Sequence, residues 1–242
     1  MISKSDIKFI KSLNQKKYRQ KEGCFIVEGI KGIEEFLKSS FKLKKIFSLT
    51  DCFNSPENLT QIVTQNELKK ISNLVSPNQA VALFEIPPKK TISESGLIIS
   101  LDDVRDPGNL GTIIRLCDWF GIKEIVCSLK TVDCFNPKVV QASMGSLTRV
   151  DLHYVDLNQW LKTIKLPKIG TFLNGENIYQ TTLPEEAVII LGNEANGISN
   201  DIQELIDMKI TIPQFGHQLQ TESLNVATAT AITLSEFLRR KS

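Results

Sequence analysis

The chain is predicted to be an α/β protein built on a layered, largely parallel sheet. Short apolar runs rich in Ile, Val and Leu alternate along the sequence with segments of helical spacing. The runs LIISL (97–101) and AVIIL (187–191) are apolar throughout, as in strands covered on both faces, and lack the alternation of a one-faced strand. The 242 residues are 41% hydrophobic and 23% charged, enough apolar surface for one large core or two small ones.

The elements follow in order. In KSDIKFIKSLNQ, Ile7, Ile10 and Leu13 stand at helical spacing, and a polar run, NQKKYRQKEG, follows. Next come strand CFIVEG, helix GIEEFLKSS, strand LKKIFSL, short strand TQIVT, helix NELKKISN and strand QAVALFEI, a compact α/β unit. IPPKKTISESG, with adjacent prolines and small polar residues, reads as a linker. This sets an expected division into 1–86, a linker over 87–96 and a second domain over 97–242. The second domain starts with strand LIISLDDV, a helix from Asn109 to Phe120, strand KEIVCS and helix PKVVQASMGSLTRV. Strand VDLHYV, helix LNQWLKTI and strands KIGTFLN and AVIILGN follow, then helix SNDIQELI, strand MKITIP and a last helix from Glu222 to about Arg240. Such alternation predicts a sheet with helices on both faces and its sites beyond the carboxyl ends of the strands.

Composition excludes several classes. Apolar stretches such as 96–101 and 187–192 run about six residues, far below the ~20 of a spanning helix, so no membrane partner is expected. The start, MISKSDIKFIKSLNQKK, has no apolar core of a secretory signal, and a cytoplasmic protein is expected. The five cysteines, Cys24, Cys52, Cys117, Cys127 and Cys134, contain no C-x-x-C pair, and the two histidines, His153 and His217, stand at no helical offset from them. They read as reduced and mostly buried, and no metal site is expected. The net charge of +2 is unevenly spread: residues 1–50 hold 11 Lys and 1 Arg against 5 acidic residues, a net +7, leaving −5 for the rest. Such asymmetry suits a polyanion partner for the first part of the chain, and a solvated lysine-rich surface is the plainer alternative.

Three strand-end segments stand out. In DDVRDPGNLGTIIR (102–115), Pro107, Gly108 and Gly111 shape a turn into a helix, with Asn109 in its first turn and Arg115 six residues later. LGNEANG (191–197) closes strand AVII with two glycines around an amide and a carboxylate. IPQFGHQLQTESLNVA (212–227) places Glu222, Ser223 and Asn225 at the mouth of the last helix. Each alone is ordinary turn or cap chemistry, whereas three at one edge of one sheet point to a site. The chain lacks G-x-G-x-x-G after a strand, a P-loop and a G-x-S-x-G elbow, which disfavours dinucleotide-dependent hydride transfer, nucleotide hydrolysis and acyl transfer.

These segments resemble the three motifs of the SpoU (TrmH) family of RNA ribose 2′-O-methyltransferases, within the SPOUT class. The first is Asn109-Leu-Gly111-Thr-Ile-Ile-Arg115, the second Leu191-Gly192-Asn193-Glu194-Ala-Asn-Gly197, and the third Ile212-Pro213 followed by Glu222-Ser223-Leu224-Asn225-Val226. SLNQKKYRQKEGCFIVEG resembles the start of the family's ribosomal-protein-like RNA-binding domain. The chain departs from the pattern in QFGHQLQT between Pro213 and Glu222, longer than the usual methionine-glycine segment, which bears on substrate choice more than on chemistry.

The resemblance implies a SPOUT α/β-knot domain whose last helix threads a loop into a deep trefoil, a homodimer, and rRNA or tRNA as substrate. It implies S-adenosylmethionine held largely by main chain near Leu191, Gly192, Ile212 and Leu224, with the Asn174-Gly175 turn nearby. Arg115 is the residue that it places at the 2′-hydroxyl. A guanidinium stays protonated, so a phosphate-binding and charge-stabilising role suits it better than that of a base. Asn109 and Glu194 match positions that hold the arginine and the nucleotide, and Ser223 and Asn225 match positions that contact the nucleotide and order the cofactor loop. Lys11, Lys16, Lys17, Arg19 and Lys21 are the expected contacts to RNA phosphates. A non-catalytic RNA-binding protein and a base-nitrogen methyltransferase remain the alternatives.

Overall fold

A computed structural model describes residues 1–76, 78–216 and 223–239. In chain order the first elements are α1 (Lys4–Ser12), α2 (Lys16–Glu22), β1 (Cys24–Glu28), α3 (Ile30–Leu37), β2 (Leu43–Ser48), β3 (Thr60–Ile62), α4 (Gln65–Ile71) and β4 (Ala80–Glu85). Then come β5 (Leu97–Leu101), α5 (Pro107–Trp119), β6 (Glu124–Ser128), α6 (Pro137–Ser143), β7 (Asp151–Val155), α7 (Leu157–Thr163) and β8 (Lys168–Asn177). The last are β9 (Ala187–Leu191), α8 (Asn200–Gln203), β10 (Met208–Thr211) and α9 (Val226–Arg239).

These elements group into two compact units, Met1–Lys89 with Asp133–Thr148, and Lys90–Val132 with Arg149–Ser242. Sequence patterning places 133–148 in the second domain, yet its contacts lie with the first. Phe135 supplies a reason: its ring sits 4.6 Å from that of Phe25, in a cluster with Phe36, Phe41 and Phe84.

The first unit is a four-stranded sheet of order β1-β4-β2-β3, antiparallel except for the β2–β3 pair. One core joins α1, α4 and the sheet through Ile10, Leu13, Ile26, Phe47, Leu68 and Val81. Local chemistry starts two of the helices. Ser3 caps α1 by accepting from the Asp6 amide, and Thr64 and Glu67 form a reciprocal capping box on α4.

The polar run after α1 is itself a helix, α2. Its single buried side chain is Arg19, 1% exposed, so apolar periodicity could not disclose it. The Arg19 guanidinium donates from Nε and Nη2 to Asp133 Oδ2 and from Nη1 to the Leu13 carbonyl at 2.7 Å. Arg19 therefore faces the interior and is unavailable to a polyanion, which corrects its assignment as a phosphate contact. Lys11, Lys16, Lys17 and Lys21 are all exposed.

The second unit carries an all-parallel six-stranded sheet of order β10-β8-β9-β5-β6-β7. From β5 the chain winds one way through β6 and β7, and then returns to the other side of β5 through β9. The switch point thus lies between β5 and β9, where adjacent loops diverge and leave a crevice. Both strands are buried along their whole length. Ile98, Val126, Val188 and Ile190 pack on one face against Leu157, Leu161 and Ile202, while α5 and α9 contact each other. The long helix expected over 137–150 stops at Ser143, because Met144 and Gly145 both take positive φ (48° and 90°), and a short 3-10 turn follows. Among the described residues no helix is long and apolar enough to cross a membrane.

Breaking the Arg19 pair leaves the Asp133 carboxylate poorly solvated, so Arg19→Ala is expected to cost about 3 kcal/mol of folding stability. Urea denaturation checks this, and a loss below ~1 kcal/mol would place the pair among weak surface bridges.

Candidate functional site

The site is assembled from the loops after β5 and β9 and the start of α9. After β5 the chain turns through Asp102 and Asp103, the latter at φ 58°, a left-handed conformation uncommon outside glycine. Asp102, 5% exposed, accepts the Ser199 amide at 2.8 Å and its hydroxyl at 2.6 Å, which anchors the far end of the β9 loop. The Asp103 carbonyl accepts Asn193 Nδ2 at 2.7 Å, and its carboxylate grips Arg105 in a fork of 2.7 and 2.8 Å. That fork, with Glu194 beyond it, holds the Arg105 guanidinium still more firmly protonated. Asp106 then caps α5 by accepting the Asn109 amide at 2.8 Å, with Pro107 at the first helical position.

The β9 loop folds on itself. Asn193 and Gly197 exchange backbone hydrogen bonds of 2.9 Å, and Asn193 Oδ1 accepts the amides of Ala195 and Asn196. Gly192 sits where this loop crosses its own start: a Cβ there would lie 2.2 Å from the Gly197 carbonyl carbon and the Ile198 nitrogen. Only glycine fits.

One amide joins the three segments. Asn109 Nδ2 donates to Glu194 Oε1 at 2.8 Å, and Asn109 Oδ1 accepts Asn225 Nδ2 at 2.9 Å. Asn225 Oδ1 in turn accepts the amides of Ala227 and Thr228, which caps α9. The structure thus brings Asn109, Glu194 and Asn225 together. Ser223 is exposed on the cavity wall, and Glu222 and His217 lie outside the described residues. Arg115 is exposed and has no hydrogen bond or ion pair among the described residues. Six residues separate it from Asn109, about 120° around the helix and ~9 Å along it, so the two do not meet.

Beneath the relay lies a cavity of about 1330 Å³. Leu191, Gly192, Ile212, Leu224 and Asn174 line it, whereas Gly175 packs on the Lys209–Ile210 backbone, where a Cβ would come within 2.8 Å. The α9 residues Val226, Ala229 and Thr233 also form its wall. They escape sequence reading because a small or apolar residue at helical spacing looks like core. Thr233 is fully buried, and its Oγ1 has no partner among the described residues. Four of the five cysteines are buried, and burial pushes the Cys117 thiol up, away from nucleophilic use. No cluster of three or more metal-ligating side chains occurs among the described residues.

Residues 96–235 match the model of the SpoU rRNA methylase family, and residues 4–82 match the MRM3-like substrate binding domain. The chain belongs to the SpoU rRNA methylase family. The 23S rRNA (guanosine(2553)-2′-O)-methyltransferase RlmP of Bacillus subtilis is 31% identical over 235 residues, 93% of either chain. A TrmH-family protein from Porphyromonas gingivalis has a similar structure, with a TM-score of 0.90, 37% identity and 99% of both chains covered. The AdoMet-bound rRNA methyltransferase of Sinorhizobium meliloti matches with a TM-score of 0.86 and 28% identity, over 99% of this chain and 97% of that one.

The SpoU cofactor, S-adenosylmethionine, fits the cavity on two observations. The Gly192 cradle brings main chain to the wall with no side chain in the way, and the orphaned Thr233 hydroxyl leaves a buried polar atom to be satisfied. Gly192→Ala is expected to displace the 193–197 loop. Cofactor affinity should fall at least tenfold in calorimetry, and the melting temperature by several degrees at roughly 2–4 °C per kcal/mol. Normal affinity would show that the loop does not shape the cavity.

Proposed function

We propose that this protein transfers a methyl group from S-adenosylmethionine to a ribose 2′-hydroxyl of ribosomal or transfer RNA, with ribosomal RNA favoured, in the cytoplasm. The observation that carries this reading is the Asn109–Glu194–Asn225 relay at the mouth of the glycine-cradled cavity. When bound, the cofactor supplies an electrophilic sulfonium methyl. The protein must orient the ribose and stabilise charge as the hydroxyl loses its proton. Glu194 and Asn109 present acceptor and amide groups at the rim, Ser223 stands beside them for the nucleotide, and Asn225 holds the cofactor loop to α9. Lys11, Lys16, Lys17 and Lys21 of the first unit bind RNA phosphates and position the substrate without specifying it.

The third motif links the far edge of the sheet to its centre. β10 is an edge strand, while α9 contacts α5, which follows the central β5. That return from the edge of the sheet to its centre supports the deep trefoil knot of the SPOUT class, with the last helix drawn through the loops it closes.

Arg115 faces about 120° around α5 from Asn109, and Trp119, one turn on, is 84% exposed. This face of α5 meets a second copy of the chain, so that Arg115 of one subunit reaches the relay of the other. There the guanidinium binds phosphate and stabilises the developing alkoxide.

Mixing the inactive variants Arg115→Ala and Asn225→Ala tests the shared site. Random exchange gives half heterodimers, each with one intact site, so about a quarter of wild-type methylation returns. Labelled methyl groups in nuclease-resistant dinucleotides are the readout. Absence of recovery after verified subunit exchange would place both residues in one chain's site, and label on a base nitrogen would overturn the ribose assignment. Replacing Lys11, Lys16, Lys17 and Lys21 by Ala is expected to lower the slope of log affinity against log salt by about 3, at ~0.7–0.9 per phosphate contact. Fluorescence anisotropy with an rRNA fragment measures it, and an unchanged slope would leave these lysines as solvated surface.

A further inference from the structure

The walls of the cavity are polar in several places, and the buried or half-buried hydroxyls and amides among them are mostly bound within the protein. Thr171 Oγ1 donates to the Ile190 carbonyl at 3.3 Å and Thr211 Oγ1 to the Leu173 carbonyl at 3.0 Å. Asn193 is bound to Asp103, and Gln203 Nε2 donates to the Ile198 carbonyl at 2.6 Å. Thr233 is different. A helical threonine ordinarily returns its hydroxyl to the carbonyl four residues back, as Thr230 does to Val226 at 2.7 Å in the same helix. Thr233 is fully buried yet makes no such bond, and its Oγ1 is left without a partner among the described residues. An unmade hydrogen bond on a buried hydroxyl costs about 1–3 kcal/mol, so its retention on a cavity wall calls for a ligand atom.

Chemistry decides which part of the cofactor that is. S-adenosylmethionine is an apolar-faced heteroaromatic ring with hydrogen-bonding edges at one end and a zwitterionic amino acid at the other. The charged residues of the wall, Glu194 and Lys209, are both exposed, as is Ser223. Thr233 lies about 12 Å along α9 from Asn225 at the mouth, at 1.5 Å per residue. Thr233 itself is fully buried there, and Ile198 of the same wall is 3% exposed. A carboxylate and an ammonium would be stranded at that end, whereas adenine would bury its faces and need only edge partners.

We propose that Thr233 is a cofactor-positioning residue, its hydroxyl hydrogen-bonded to the adenine edge of S-adenosylmethionine at the buried end of the cavity. A hydroxyl both donates and accepts, so it can meet a ring nitrogen or the exocyclic amino group. By holding the ring, it sets how far the reacting end projects toward the relay.

The inference rests on the cavity being the cofactor site, and the test separates the two. Calorimetric titration with S-adenosylhomocysteine compares the wild type with Thr233→Val, which keeps the shape and removes the hydroxyl, and with Thr233→Ser, which keeps the hydroxyl. The dissociation constant should rise about tenfold in Thr233→Val and stay within about twofold in Thr233→Ser. 5′-Methylthioadenosine, which lacks the amino-acid end, should show the same loss. The melting temperature of unliganded Thr233→Val should equal or exceed that of the wild type, since no internal hydrogen bond is removed. Wild-type affinity in Thr233→Val, a loss that vanishes with methylthioadenosine, or a loss accompanied by a fall in unliganded stability would each overturn the proposal. If the wild type binds neither ligand, the cavity assignment fails and the proposal with it.

Discussion

The site depends on the two ends of one side-chain amide. Asn109 donates from Nδ2 to Glu194 and accepts at Oδ1 from Asn225, and so it ties the loops after β5 and β9 to the first turn of α9. Aspartate in its place would repel Glu194, and leucine of similar size would satisfy neither partner. Glu194 and Asn225 are exposed, so each bond contributes only about 0.5–1.5 kcal/mol net. The relay therefore orients more than it stabilises. Stability of the loops comes from below, where buried Asp102 holds both polar groups of Ser199, and Asn193 holds the Asp103 carbonyl.

The glycine of the β9 loop does a different task from those of a dinucleotide fingerprint. A Rossmann site presents its glycines to a pyrophosphate at a helix N-terminus. Here Gly192 instead lets the 193–197 loop close over its own start, and a methyl group at that point would collide with backbone at 2.2 Å. Asn193 then uses Oδ1 twice and Nδ2 once on nearby backbone, which fixes the loop without help from the ligand.

Legibility in the sequence followed the physics of each signal. Continuous apolar runs disclosed β5 and β9 because strands covered on both faces have no other pattern, and turn residues at their ends disclosed Asn109, Gly192 and Glu194. Helix α2 reads from the sequence only as a polar run because its buried face is an arginine. The grouping of 133–148 with the first unit was hidden because Phe135 and Asp133 act through partners more than a hundred residues away. Helix α9 starts at Val226, not at Glu222, because the Asn225 side chain sets the cap. Thr233 gave no signal at all, since a buried threonine inside an apolar helix looks like packing until its missing hydrogen bond is seen.

The basic segment shows why residue type matters as much as charge. Residues 1–50 hold eleven lysines and a single arginine, and it is the arginine that is buried. Its planar fork satisfies the Asp133 carboxylate and the Leu13 carbonyl together, and a guanidinium is less costly to dehydrate than an ammonium. A lysine there would offer a point charge where three directed donors are needed. The exposed lysines of α1 and α2 keep their ammonium groups in water on flexible stems, the form that suits diffuse attraction to a polyanion. The same stretch of sequence thus separates a cation buried to build the fold from cations exposed on its surface.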